Sequence, residues 1–264
     1  MTEESLRSLK VLYGSYVDTY RGADGSLPEM MELKLKHTGL VVANAIAIAT
    51  EEGFDGNTRL VCEAAALLHD TGRYEQLKRF NTFRDVDSVD HAVFSHDIVK
   101  ERGWLEKCGV GEGEAQAILK AVLVHNRREI PDGMDGLTLT ASKVVRDADK
   151  LDIFRVLEER VTTCDWRTGS REFWNLTPGL PPSKAVIEAI LAKRPVDYGA
   201  IASLPDFILI QVGWMICGLN YASSRRLAAR RGHLEFRRRF LKEITSDPAI
   251  DVICDLARNV MEGA

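Results

Sequence analysis

The dipeptide His69-Asp70 constrains this chain more than any other feature, because it places two hard metal ligands directly after the apolar run Ala64 to Leu68. A carboxylate that is buried without a partner loses several kcal/mol of hydration free energy or becomes protonated. A divalent cation removes this cost. The dipeptide therefore predicts that an apolar helix ends at a buried metal site, and that further ligands reach this site from other parts of the fold.

Apolar residues recur at steps of three and four through most of the chain, which is the spacing of an amphipathic helix. Alternation of the strand type is weak everywhere. The predicted helices cover residues 31–50, 58–70, 88–101, 114–125 and 138–160 in the first half, and 183–193, 203–219, 220–231 and 233–262 in the second. The chain is therefore predicted to be all-α.

The length of 264 residues and the apolar content of 45% allow a substantial core, in one large domain or two small ones. We predict a single all-α domain over residues 1–264, in which residues 30–155 form the metal-binding core and residues 160–264 form a helical C-terminal extension packed on it. The irregular stretch from Cys164 to Pro182 contains Trp166 and Trp174, so we interpret it as a packed loop.

The other ligand types occur in a defined order along the first half of the chain. The pattern is His37, then His69-Asp70, His91, His125 and the acidic stretch Asp147 to Asp152. The local sequences around these residues are Lys36-His37-Thr38, Leu68-His69-Asp70-Thr71-Gly72-Arg73, Asp90-His91-Ala92, Val124-His125-Asn126 and Asp147-Ala148-Asp149-Lys150-Leu151. This order and these contexts resemble the HD-domain superfamily of metal-dependent phosphohydrolases, over about residues 30–155. The resemblance implies an HD-domain-like helical bundle, here with additional C-terminal helices.

The resemblance also implies a ligand set. The first metal ion would be held by His37, His69, Asp70 and Asp149. Asp147 is the alternative to Asp149, and only one of the two can face the site, because positions 147 and 149 point about 200° apart on a helix. The family ligand follows an alanine and precedes a basic and an apolar residue, which matches Asp149.

His91 and His125 determine how many ions the site holds. In one interpretation they bind a second ion, and the Asp70 carboxylate bridges the two. In the other they surround a single ion as contacts for phosphate or as hydrogen-bond donors. Imidazole and carboxylate together suit Mn, Fe, Co, Ni or Zn better than Ca²⁺, which prefers a cage of oxygen ligands. Mg²⁺ is a further candidate.

Basic residues near the predicted ligands are candidates for binding a phosphate group. The segment from Arg73 to Arg84 carries four cations and one acid, in a protein whose net charge is −4. Arginine binds phosphate oxygens in a forked geometry, although a solvated charged loop has the same composition. Arg73 is the first candidate because it is closest to the ligands in sequence, and Lys150, next to Asp149, is the second.

The remaining charged motifs are interpreted as structural. His96 is off the face of His91, and His233 is expected to be a surface residue. Seven arginines between Arg225 and Arg239 suggest a charged helical face or an oligomer contact rather than a nucleic-acid site. The segment Gly109 to Glu114 resembles a dinucleotide motif but lacks a preceding strand, so it is expected to begin a helix.

The composition favours a cytoplasmic protein. The net charge of −4 gives no general attraction to nucleic acids or acidic membranes, and the apolar runs are too short to span a bilayer. Five scattered cysteines without a C-x-x-C motif indicate a reducing compartment. The sequence does not decide whether the protein forms a homo-oligomer.

The resemblance implies a phosphohydrolase that cleaves a phosphoester of a nucleotide or a related small molecule by means of metal-activated water. Asp70 would orient or bridge this water, and His91 or His125 would protonate the leaving oxygen if it is not bound to metal. Two alternatives belong to other classes. One is a di-iron oxygenase of the same superfamily, and the other is a ligand-sensing module with little activity.

Overall fold

The fold is described by a computed structural model for residues 1–134, 136–168, 173, 175–176 and 178–263. These residues form helices and loops without a strand, so the predicted all-α class is confirmed. The chain divides into two compact units, Met1–Asp149 and Lys150–Ala264. The single domain with a packed C-terminal extension stays a prediction.

The first unit contains seven helices and the beginning of an eighth among its described residues. They are α1 (Glu3–Asp18), α2 (Glu29–Glu51), α3 (Gly56–Leu68), α4 (Gly72–Phe80), α5 (His91–Glu101), α6 (Trp104–Lys107), α7 (Glu112–Val124) and α8 (Gly136–Thr163), within which the division between the units falls. The sequence did not predict α1 or α4. Arg73 to Phe80, interpreted as part of a basic loop segment, is therefore mostly helical.

Short polar side chains define where several of these helices begin. The Asp55 carboxylate accepts a hydrogen bond from the Thr58 backbone N–H at the start of α3, and Asp90 accepts from Ala92 and Val93 at the start of α5. Each satisfies backbone donors that have no partner inside the helix. The cap at Asp90 fixes where α5 begins, and therefore where His91 lies.

Helix α3 forms the centre of the first unit. It packs against α1, α2 and α7, while α5 packs against α4 and α7. The three alanines Ala64, Ala65 and Ala66 are fully buried, and their small side chains allow neighbouring helices to approach α3 from several directions. As a result, the His69-Asp70 turn that follows α3 is surrounded by other elements.

Gly72 is required by a close approach between α4 and α5. A Cβ atom at this position would lie 2.7 Å from the Ser95 nitrogen and 3.0 Å from the His91 carbonyl oxygen. The Gly72 backbone N–H donates to the Ser95 hydroxyl at 2.8 Å. Glycine therefore lets the His69-Asp70 turn lie directly against the first turn of α5.

The described residues of the second unit also form helices and loops. After the end of α8 it contains α9 (Lys184–Leu191), α10 (Leu204–Gly213), a π-helical turn at Trp214–Gly218, α11 (Ala222–Arg230), α12 (His233–Ile244) and α13 (Ala249–Glu262). Trp166 is buried and packs edge-to-face on Phe240, with ring centroids 5.0 Å apart. Trp174, the other tryptophan of the predicted packed loop, lies outside the described residues.

The prediction of one helix in the second unit is wrong. Residues 233–262 were expected to form a single helix, but the chain leaves the helical conformation between α12 and α13. Pro248 explains the break, because proline disfavours helical backbone at the preceding residue and lacks an N–H group. The sequence contained this signal, and the apolar periodicity on either side of it was given too much weight.

Among the described residues, none of the helices combines the length and the apolar character that crossing a membrane requires.

Candidate metal centre

Asp149 and His37 are brought together by the packing of α8 against α2. The Asn44 side chain on α2 donates to the Ala148 carbonyl oxygen on α8 at 3.0 Å. One residue further along α8, the Asp149 Oδ1 atom lies 3.2 Å from His37 Nε2 and 3.9 Å from His69 Nε2. The helix phase therefore points Asp149 at the two histidines that were predicted to share its metal ion.

Asp147, the alternative ligand, is fully buried but belongs to none of the ligand groupings found among the described residues. Asp152 pairs with Arg155 through two hydrogen bonds of 2.6 and 3.1 Å. Of the three acidic residues in this stretch, Asp149 is the one that has histidine nitrogens beside it.

His69 and Asp70 lie in the turn between α3 and α4, and both are buried. The Thr71 hydroxyl holds this turn by donating to the Leu68 carbonyl oxygen at 2.9 Å. His69 Nδ1 lies 2.8 Å from the Ala66 carbonyl oxygen. Since a carbonyl can only accept, Nδ1 carries the proton, and Nε2 presents a lone pair to the site.

His125 follows directly after α7 and is oriented in the same way as His69. Its Nδ1 atom donates to the Val122 carbonyl oxygen at 2.7 Å. The Arg146 guanidinium on α8 supports the end of α7 by donating to the carbonyl oxygens of Val124 and His125 at 3.0 and 3.2 Å. The backbone around His125 is therefore fixed from two sides.

His91 differs from these two histidines because a carboxylate orients it. Its Nδ1 atom donates to Asp85 Oδ2 at 2.5 Å. Asp85 Oδ1 in turn accepts from Arg73 at 3.0 Å and from Gln76 at 3.1 Å. A carboxylate on the far nitrogen of a metal-binding histidine fixes its tautomer and raises its basicity.

The Nε2 atoms of His91 and His125 lie close together. His91 Nε2 and His125 Nε2 are 3.1 Å apart, while the Nδ1 atom of each ring donates to an acceptor on its other side. The two Nε2 atoms therefore face each other and Asp70, and a cation between them would satisfy both. Among the described residues, the buried His69 Nε2 and Asp70 Oδ1 atoms have no hydrogen-bond partner.

The Asp70 carboxylate lies in the middle of the four histidines. Oδ2 is 3.7 Å from His37 Nε2 and 3.6 Å from His69 Nε2. Oδ1 is 3.6 Å from His91 Nε2 and 3.8 Å from His125 Nε2. These distances are too long for hydrogen bonds, and they are near the separation of about 3.0–3.4 Å between neighbouring ligands of an ion with bonds of about 2.0–2.2 Å.

The protonation states match those that metal ligands need. Burial lowers the pKa of His69, and burial together with the neighbouring rings of His91 and His69 holds the pKa of His125 well below its usual range, so both rings are neutral. Burial acts to raise the pKa of Asp70, but Lys34 and the neighbouring cationic groups outweigh it and lower this pKa strongly. The pKa of Asp149 is lowered as well, because contacts with His37 and His69 outweigh its burial.

These residues fit divalent ions for two reasons. Their ligand atoms converge, and imidazole and carboxylate are ligands that such ions accept. Within the described part of the chain, three overlapping groups cover all six predicted ligands, namely His37 with His69 and Asp70, His69 with His125 and Asp149, and Asp70 with His91 and His125. A fourth group, Asp85, Asp90 and His91, uses carboxylates that already accept protein hydrogen bonds.

The structure places the two predicted phosphate contacts differently. The Arg73 NH1 atom donates to Gln76, to the Phe83 carbonyl oxygen and to Asp85, and Arg73 Nε lies 3.4 Å from Asp70 Oδ1. Lys150 belongs to the second unit, where its Nζ lies 5.9 Å from the Trp214 ring centroid. Substrate binding by either residue stays a prediction.

Sequence reasoning missed two residues of the centre and misjudged one outside it. Asp85 and Lys34 both contact predicted ligands. The spacing of residues along the sequence did not indicate these contacts, because each depends on how the chain folds. His96 pairs with the adjacent Asp97 near the surface, at 2.7 Å. The surface position predicted for His233 is wrong, because this residue is buried and donates from Nδ1 to Glu158 at 2.6 Å.

Comparison with known proteins gave one family. Comparisons with curated proteins and with solved structures found no match. Residues 35–153 match the family model of the HD domain. This range begins two residues before His37 and ends four residues after Asp149, so it contains all six predicted ligands. By this match, residues 35–153 of the chain are similar to the HD domain.

Proposed function

We propose that this protein is a metal-dependent phosphohydrolase that cleaves a phosphoester of a nucleotide or a related small molecule. The observation that carries the proposal is the position of Asp70, whose two carboxylate oxygens each face two imidazole nitrogens at 3.6–3.8 Å. A carboxylate flanked in this way provides ligands for two ions on its two sides.

Two ion sites follow from this arrangement. His37, His69, Asp70 and Asp149 would hold the first ion, and Asp70, His91 and His125 the second. Divalent ions in such a pair activate a water molecule and neutralise the charge that develops on a phosphoryl group. Mn, Fe, Co, Ni and Zn all accept imidazole and carboxylate together.

The protein side chains provide positioning rather than a covalent nucleophile. Asp70 is fixed at its place by the short turn after α3 and by Lys34, which donates to Oδ2 at 2.6 Å. His91 and His125 have Nδ1 occupied by Asp85 and by the Val122 carbonyl, so Nε2 is the atom of each ring that faces Asp70. This favours the role of metal ligand for both rings over that of proton donor.

The test begins with protein purified without chelator. We expect about two divalent ions per chain and turnover of phosphomonoesters or nucleotides with Mn²⁺, Co²⁺ or Ni²⁺. His91→Ala and His125→Ala should each reduce the metal content to about one ion and lower the rate. A fully metallated protein that turns over no phosphoester would contradict the proposal. If the unmodified protein binds one ion per chain, the proposed two-ion centre must be replaced by a one-ion centre.

A di-iron oxygenase is the second candidate, because the same six ligands around a bridging carboxylate can hold two irons. Iron content and O₂ consumption distinguish the two. Loss of an organic substrate that requires O₂, without release of inorganic phosphate, would favour the oxygenase.

A further inference from the structure

Lys34 is a cation at the metal centre to which sequence reasoning assigned no role. It lies on α2 one turn before His37, and its Nζ atom is 2.6 Å from Asp70 Oδ2. Its side chain is 16% exposed, whereas that of Asp70 is 3% exposed. Lys34 therefore connects a deeply buried ligand of the centre with the solvent.

The ammonium group competes with a metal ion for the same oxygen atom. Asp70 Oδ2 is the oxygen that faces His37 and His69, the two histidines of the first ion site. A divalent ion bound there lies close to a positive charge that is only partly solvated, and like charges at such range repel strongly inside a protein. In the absence of an anion, Lys34 thus opposes the binding of the first ion.

An anion removes this repulsion, and Lys34 is placed to bind one. Within the described residues, Asp70 is the only hydrogen-bond acceptor of its ammonium group, although an ammonium has three protons to donate. Its other close contact is the ring of Phe83, 5.6 Å from Nζ. Arg73 lies 5.7 Å from the centroid of the same ring, and its NH1 already has three protein acceptors. Its buried Nε, 3.4 Å from Asp70 Oδ1, has no hydrogen-bond partner among the described residues. Lys34 therefore has donors to spare on an ammonium group that is partly exposed to solvent.

We infer that Lys34 binds the phosphoryl oxygens of the substrate and thereby couples substrate binding to metal binding at Asp70. The inference rests on the proposed function, because it requires an ion at the first site. It gives Lys34 opposite effects on two ligands. The residue weakens the binding of metal alone, and it strengthens the binding of a phosphoryl group to the metallated protein.

The test measures the two affinities separately and without turnover. Isothermal titration with Mn²⁺ alone, and then with inorganic phosphate at saturating Mn²⁺, is applied to the wild type, Lys34→Met, Lys34→Arg and Lys36→Met. Lys36 is an exposed lysine of the same helix and serves as the matched control. Lys34→Met should bind Mn²⁺ about tenfold more tightly and phosphate at least about tenfold more weakly. Lys34→Arg, which keeps the charge, should stay near the wild type.

Circular dichroism and thermal melting verify that each variant is folded. If Lys34→Met loses affinity for both ligands, the residue only holds Asp70 in place, and the inference is wrong. Unchanged affinities in Lys34→Met, or equal changes in Lys36→Met, also overturn it while the proposed function stands. A wild type that binds no Mn²⁺ would overturn the proposed function itself, and the inference with it.

Discussion

Two buried polar clusters, one in each unit of the chain, contain similar residue types and differ in what satisfies them. The ligand cluster of the first unit consists of His37, His69, Asp70, His91, His125 and Asp149. The Arg237 cluster of the second unit consists of Glu158, Gln211, His233 and Arg237. In the Arg237 cluster the guanidinium is fully buried and donates to the side chains of Gln211 and Glu158 and to the carbonyl oxygens of Phe154 and His233.

The difference lies in the supply of donors. Arginine has five N–H groups and no acceptor, so the Arg237 cluster brings its own positive charge to the acceptors around it. The ligand cluster brings together carboxylate oxygens and imidazole lone pairs, and among the described residues His69 Nε2 and Asp70 Oδ1 find no donor. In the Arg237 cluster, His233 Nε2 also lacks a hydrogen-bond partner among the described residues, but the oxygens of Glu158, Gln211, Phe154 and His233 all accept from Arg237. A buried cluster in which carboxylate and imidazole acceptors converge without enough donors indicates a site for a cation, whereas one built around a buried guanidinium indicates a structural network.

The largest expected effect is that of Asp70→Ala, which removes the carboxylate shared by both ion sites. We expect metal affinity to fall by more than about 100-fold and phosphoester turnover to be lost, while helicity stays close to that of the wild type. Metal analysis after dialysis and circular dichroism measure the two properties. Full metal occupancy and an unchanged rate would show that the ligand cluster does not need Asp70, and the comparison would fail.

Asp149→Asn and Asp147→Asn sharpen the comparison, because Asp149 Oδ1 lies within 4 Å of His37 and His69 Nε2, whereas Asp147 belongs to none of the ligand groups among the described residues. Asp149→Asn should lower metal affinity by about 100-fold, whereas Asp147→Asn should keep the metal content of the wild type even if it lowers stability. Titration with Mn²⁺ ranks the two variants. The reverse ranking would assign the ligand role to Asp147.

Arg237→Met tests the other cluster. Its removal leaves the Glu158 carboxylate without its buried cation, and we expect the free energy of unfolding to fall by about 3–5 kcal/mol. Arg238→Met is the matched control on the same helix. Arg238 pairs with Asp251 and Asp255 nearer the surface, and its loss should cost about 0–1 kcal/mol. Urea denaturation measures both values.

Metal content gives the second half of that test. A structural network should leave the number of bound ions unchanged in folded Arg237→Met protein. If this variant loses metal ions while it remains folded at low temperature, the two clusters are coupled and the distinction drawn between them is wrong.

The smallest effect is expected from Asp85→Asn, which weakens the orientation of His91 but removes no ligand. Burial acts to raise the pKa of Asp85, but its contacts with His91, Arg73 and Gln76 lower it to about 2, so the carboxylate is ionised at neutral pH. The amide of asparagine is a weaker acceptor, and affinity for the second ion should fall by about 10- to 100-fold. The first ion should be retained.

Asp87→Asn controls for the Asp85 variant, since Asp87 lies in the same short helical turn and pairs at the surface with Arg84 at 2.9 Å. Its metal affinities should equal those of the wild type. Equal losses in Asp85→Asn and Asp87→Asn would indicate that the whole turn matters rather than the carboxylate on His91.

Local patterns predicted the helices well where the apolar period was long and regular. The helices around residues 31–50 and 138–160 are present with ends that differ by one to three residues. Helix α4 was missed because basic residues dominate its sequence, and the break before α13 was missed although Pro248 marks it. Both errors arose from reading polar composition or apolar period alone.

Burial of charged residues was not predictable in the same way. His233 and Arg237 stand in a segment rich in arginine, which is typical of a solvated face, yet both are buried. Their partners Glu158 and Gln211 are distant in sequence. A charged side chain becomes tolerable inside a protein only when the fold delivers its partner, and apolar periodicity contains no information on that delivery.

The sequence by itself determined the all-α class, the similarity of residues 35–153 to the HD domain and the types of side chain available as ligands. Only the tertiary structure decided that Lys34 lies on Asp70, that Asp85 orients His91, and that Asp149 rather than Asp147 lies beside His37. The physical reason is that helix formation depends on neighbours within a few residues. The pairing of buried charges depends on which helices pack together, and Lys34 and Asp70, 36 positions apart, meet only after α2 and α3 have packed.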